Sequence, residues 1–115
     1  MMFTPATAIA SSAADLIGGD RAKTHGDALE TFSRTASLFN GILTAAGIAT
    51  SRPLDAHDVC NLLEGLKIAR RYSGSFNIDD YIDGAGYAAC AGEVRQRLTA
   101  LRKSDPPRST ASDPP

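Results

Sequence analysis

Apolar residues recur every three or four positions through most of this chain, and polar or glycine-rich breaks separate the runs. Ile9, Ala13, Leu16 and Ile17 have helical spacing and predict a first helix over residues 6–17. Gly18 and Gly19 are placed to end it, because glycine tolerates the left-handed conformation common just past a helix. "GDRAKTHGDA" then reads as a loop or irregular turn. Asp27 stands where an N-cap belongs, with Glu30 three residues on in a capping-box-like position. Leu29, Phe32, Ala36, Phe39, Leu43 and Ala46 step by three or four and predict a second helix over 28–46, with Gly47 as its stop.

"IATSRPLDA" breaks the pattern again, since Pro53 does not suit a helix interior. Asp55 is the expected cap of a third helix over 56–72. Val59, Leu62, Leu63, Leu66 and Ala69 form its apolar face, with Glu64, Lys67 and Arg71 on another. "SGSFN" separates it from a fourth helix over 78–102, whose buried side is read as Ile78, Ile82, Ala85, Ala89 and Leu98. No strand-like alternation of useful length appears. The predicted fold class is all-α, a small bundle of about four helices with short loops. The tail "SDPPRSTASDPP" has no large apolar residue and four prolines, so it cannot recover its ordering entropy by burial. One helical domain over 1–103 and a disordered tail over 104–115 are expected.

Composition sharpens this picture in three ways. Hydrophobic residues make up 43% of the 115, but aromatics only 6%, and there is no Trp. A core of Leu, Ile, Val and Ala buries little area per side chain, so an oligomer, with a dimer favoured, is expected to add stability. A formal net charge of −1 argues against extended nucleic-acid binding. Cys60 and Cys90 lack CxxC or zinc-finger spacing and read as reduced thiols. The first residues lack a basic region followed by a sustained apolar stretch, and no run approaches a membrane span. A cytoplasmic location is expected.

Several polar groups admit two readings each. Arg21 and His25, within "GGDRAKTHGD", are candidate ligand-binding residues or solvated charges of a capped loop. Lys67 and Arg70 are candidate phosphate contacts, and Glu64 a candidate metal ligand; equally, basic residues suit a helix C-terminus and Glu64 pairs with Lys67 at i, i+3. Asp80 and Asp83 lie one turn apart and offer hard oxygens for Mg²⁺. Acids at a helix start explain Asp79 and Asp80, though Asp83 sits deeper. Gly84, Gly86 and Gly92 with the alanines around them suit close helix contact or a ligand against bare backbone. Tyr87 stacks on a base or packs in the bundle. No Walker-type, GxSxG or HExxH motif is present.

Taken in order, "LIGGDRAKTHGD", "HDVCNLLEGLKIARR" and "DDYIDGAGYAA" resemble a family of small phage and prophage proteins of uncharacterised function. Its pattern is a Gly-Asp-Arg with a nearby aromatic-Gly-Asp, then Asp-Val and Lys-x-x-Arg on one helix, then Asp-x-x-Asp-x-x-Gly-Tyr. His25 stands where that family usually has tyrosine, and the resemblance covers about residues 9 to 95. The family is in turn distantly similar to the MazG-like all-α nucleoside triphosphate pyrophosphohydrolases, which hold Mg²⁺ with acids on two helices. Asp80 and Asp83 take the place of the second acid pair; the first acid cluster is missing, and the third helix offers in its place only Asp58 and Glu64, six residues apart and not on one face.

The resemblance implies a nucleotide-handling protein of a phage-infected bacterial cell. In its enzymatic form Asp83, Asp80 and Glu64 are catalytic, Asp80 and Asp83 hold Mg²⁺, and an NTP or dNTP is cut to monophosphate and pyrophosphate. Arg21, His25, Lys67, Arg70 and Tyr87 then contact the ligand. The alternative is a non-catalytic helical protein that binds a host protein or sequesters a nucleotide signal.

Overall fold

The structure is a computed structural model that describes residues 2–19 and 26–104. It contains four helices, α1 (Ala6–Gly18), α2 (Ala28–Ala45), α3 (Ala56–Arg70) and α4 (Asp79–Ser104), and no strand among the described residues. The all-α architecture is as the apolar periodicity predicts. Residues 105–115 of the expected tail lie outside the described residues, and α4 takes in Ser104. No helix among the described residues is long and apolar enough to cross a membrane.

The helix ends follow local chemistry. Pro5 precedes α1, and its carbonyl accepts from the Ala8 and Ile9 amides. Gly19 has φ −96°, so α1 does not end in the left-handed glycine expected of it. α2 does: Gly47 has φ +73°, its amide donates to the Thr44 carbonyl, and the Ile48 amide donates to that of Leu43. This pair of bonds closes a Schellman motif. At the other end, Asp27 accepts from the Glu30 amide at 3.2 Å. Asp55 and Asp58 form a reciprocal capping box on α3, and Asn77 Oδ1 accepts from the Asp79 amide where α4 begins.

α4 is the spine. It packs most extensively on α3, then on α1, while α2 lies mainly against α3. Asp80, Gly84, Ala91 and Val94 are buried along it, and Tyr87 and Leu98 are half-buried between and beyond them. Alternating steps of four and three give the narrow seam of two helices in long contact. The core cluster is Ala56 and Cys60 of α3 with Ala91 and Val94 of α4, flanked by Leu29, Phe32, Cys90 and Leu98.

This corrects the expected faces. On α3 the contact side runs through Ala56, Val59, Cys60 and Leu63, whereas Leu62 and Leu66 are each 52% exposed and Ala69 is exposed. Each consecutive residue turns 100° around a helix, so centring the contact on Ala56 and Cys60 swings Leu62 and Leu66 aside. On α4, Ala89 is exposed, while Ile82, Ala85 and Leu98 are half-buried, as is Ile78 just before the helix. Small side chains chose the interface because they let the two backbones approach; the largest apolar groups did not. Cys60 and Cys90 are both free thiols, the first buried and the second half-buried.

Candidate functional site

The charged pieces of α3 and α4 meet across the seam. Lys67 Nζ lies 3.1 Å from Asp83 Oδ2, and Arg70 Nε lies 3.3 Å from Asp80 Oδ1. Asp80 is buried, and its Oδ1 accepts no hydrogen bond. Arg70 therefore supplies charge rather than a directed bond. Arg71 donates from Nε and Nη2 to the Asp80 backbone carbonyl at 3.3 and 3.1 Å. Its guanidinium also lies 4.6 Å from the centre of the Tyr81 ring, which stacks on Phe76. Gly84 makes room for it, since a Cβ there would collide with Arg71 Nη2. The Lys-x-x-Arg-Arg and Asp-x-x-Asp-Gly stretches thus form a clamp between the end of α3 and the start of α4. Glu64 is half-buried and has no ion-pair partner among the described residues; the i, i+3 pair with Lys67 does not form, because Lys67 turns to Asp83.

Beside this clamp a cleft of about 630 Å³ opens between all four helices. Its apolar wall is built from Leu16, Ile17, Phe32, Leu63, Ile82 and Tyr87. The Phe32 and Tyr87 rings meet edge to face, 6.5 Å apart with 72° between their planes. Asp27, Asp83 and Glu93 also line the cleft. Arg97 grips Asp27 with two hydrogen bonds, 2.6 and 3.1 Å, and reaches Glu93 at 3.3 Å. The guanidinium of Arg97 holds the Asp27 carboxyl below its usual range. No cationic side chain is among the described residues that line the cleft.

Of the candidate site residues, Asp83 and Tyr87 line this cleft; Asp80, Glu64, Lys67 and Arg70 do not. Arg21 and His25 lie outside the described residues. Sequence reading missed Phe32, Glu93 and Arg97 as site residues; it saw Asp27 as a cap and as one charge of the "GGDRAKTHGD" connector. The Glu93–Arg97 spacing of i, i+4 was a visible signal. The pairing of Arg97 with Asp27, 70 positions away, was not.

One group of His, Cys, Asp and Glu side chains among the described residues has its ligand atoms all within 4.8 Å of one another, and it is Asp55, His57 and Asp58 rather than the acids of α4. Both of its carboxylates already serve the α3 cap. Arg52 takes Asp58 through Nη1 and Nη2 at 2.5 and 2.8 Å, filling the position a cation would occupy.

Residues 8–95, which carry the clamp and the whole lining of the cleft, match the model of a domain of unknown function, DUF6378. The chain belongs to this family. It is also similar to the Gene 55 protein of Mycobacterium phage D29, with 35% identity over 86 residues, 75% of this chain and 52% of the phage protein. The chain thus spans about half the length of the curated relative it matches. DUF6378 here has a phage-associated relative, in keeping with the phage resemblance of its charged motifs. No solved structure matches the chain.

Proposed function

We propose that this DUF6378 protein is a phage-type helical binding protein that takes a nucleoside-sized ligand into the cleft and does not hydrolyse it. The disposition of Asp80 and Asp83 carries this reading. Each faces a cation of α3, and Asp80 is buried away from the cleft. A volume of about 630 Å³ suits a small molecule. Phe32 and Tyr87 offer aromatic edges to a base, and Asp27, Asp83 and Glu93 offer acceptors to sugar hydroxyls or ring amines.

The MazG-like reading keeps one supporting observation: Asp83 stands on the cleft wall with Lys67 behind it. It needs Asp80, Asp83 and Glu64 to converge on Mg²⁺. As held here, they do not present a common seat for the ion, because Arg70 and Lys67 face the two aspartates. Titration calorimetry with the common nucleosides and their triphosphates, with and without Mg²⁺, tests the proposal when paired with product analysis. Nucleoside heat without product supports it; pyrophosphate release overturns it in favour of the hydrolytic reading.

A further inference from the structure

The chain has two cysteines, on different helices, and the fold brings both to one contact. Cys60 of α3 is wholly buried and belongs to the core cluster with Ala56, Ala91 and Val94. Cys90 of α4 packs against that same cluster. It is half-buried and also lines the cleft, so it stands where the core meets open space. The charge of Cys90 is felt at Cys60, whose thiol it helps to raise, as neighbours would. The seam itself is narrow because its side chains are small. Packed helix axes lie about 8–10 Å apart and each Cα lies about 2.3 Å from its axis, so facing Cα atoms come within about 5.5 Å. A disulfide spans roughly 4.4–6.8 Å between Cα atoms.

We propose that Cys90 and Cys60 form a redox pair, in which a small hydroperoxide entering the cleft oxidises Cys90 and Cys60 then closes a disulfide between α4 and α3. In the first step the Cys90 thiolate attacks the terminal oxygen of the hydroperoxide and the O–O bond breaks. Sulfur gives up two electrons and becomes a sulfenic acid, and the hydroperoxide leaves, with a proton, as an alcohol or water. In the second step the Cys60 sulfur attacks the Cys90 sulfur. The S–O bond breaks, the S–S bond forms, and the Cys60 proton leaves with the hydroxyl as water. Access sets this order, since Cys90 lines the cleft and Cys60 has no exposed surface. Burial, which keeps Cys60 protonated, makes the second step the slow one. The finished bond ties a residue of the cleft wall to the core, whatever the cleft binds.

The test treats the full chain with hydrogen peroxide, alkylates the remaining thiols in denaturant, and maps the unreduced digest by mass spectrometry. The wild type is expected to lose two hydrogens while staying a monomer, and to yield a peptide linked through Cys60 and Cys90. Its melting temperature should rise and then return on addition of dithiothreitol. In Cys60→Ala, dimedone should trap the sulfenic acid on Cys90; in Cys90→Ala, Cys60 should stay a thiol. Three results overturn the pair: Cys90 that runs on to sulfinic acid beside an unreacted Cys60, a disulfide that joins two copies, or Cys60 oxidised as fast without Cys90. Should Cys60→Ala not fold, the wild-type digest decides alone, because the cross-linked peptide is either there or missing.

Discussion

Lys67 and Asp83 form an ion pair across the α3–α4 seam, Nζ to Oδ2 at 3.1 Å, with side chains only 15% and 29% exposed. Removing one partner leaves the other charge partly buried and unpaired, which costs more than losing the pair as a whole. Asp83→Asn should lower unfolding stability by about 1 kcal/mol in urea denaturation. Lys67→Met combined with Asp83→Asn should lose less than the sum of the single changes. Strict additivity would mean that the pair does not couple the helices.

The three glycines of α4 should respond differently to alanine. Gly92 has nothing within 4 Å of an added Cβ, and Gly86 meets only Ile17 at 4.0 Å. In a helix interior, Gly→Ala gains roughly 1 kcal/mol, so both substitutions should raise the melting temperature. Gly84→Ala should give little or none of this gain, because the added Cβ displaces Arg71 from the Asp80 carbonyl and the Tyr81 ring. Thermal melts of the three variants make the comparison. A gain at Gly84 equal to that at Gly92 would contradict the clamp.

Arg52 holds the Asp58 carboxyl well below its ordinary value of 3.8, and the Asp55 amide adds to the effect against the opposing pull of burial. A carboxyl lowered on folding contributes stability that is fully present above the unfolded value and is lost as pH falls towards the folded one. Stability should therefore decline as pH drops from roughly 4 towards 2. Asp58→Asn should be less stable at pH 7 and show a shallower acid decline, as read from urea midpoints across that range.

Burial, and then neighbouring Cys90, push the Cys60 thiol up to about 12 from 9.0. A raised thiol contributes stability that is present below the unfolded value and lost as pH rises past it. Unfolding midpoints should fall above pH 9, and Cys60→Ala should remove that alkaline slope. At pH 7 the folded protein should show one faster-reacting thiol, Cys90, and one slow one, Cys60. Equal rates would place Cys60 nearer the surface than the packing allows.

Helix number, the caps of the second and third helices and the stop of the second were legible because they depend on neighbours in sequence. Asp27, Asp55 and Gly47 act within a turn of where they stand. Which face each helix buries was less legible. Leu62 and Leu66 look like core by size, yet α4 approaches through Ala56 and Cys60, and that choice depends on the partner helix. The clamp was half readable. Its residues stood out, but spacing alone could not tell two acids sharing a metal from two acids each facing a cation on the neighbouring helix. The cleft was least legible, because Phe32, Tyr87, Asp27 and Glu93 come together only through tertiary packing.

Binding without turnover is the central claim, and calorimetry run beside pyrophosphate detection tests it most directly. The wild type should bind at least one nucleoside without Mg²⁺. Gly86→Leu should abolish that heat by filling the cleft while leaving helicity intact, and no triphosphate should yield pyrophosphate at high protein concentration. Pyrophosphate release with Mg²⁺ that disappears in Asp83→Asn would contradict the account, as would the absence of binding to every nucleoside.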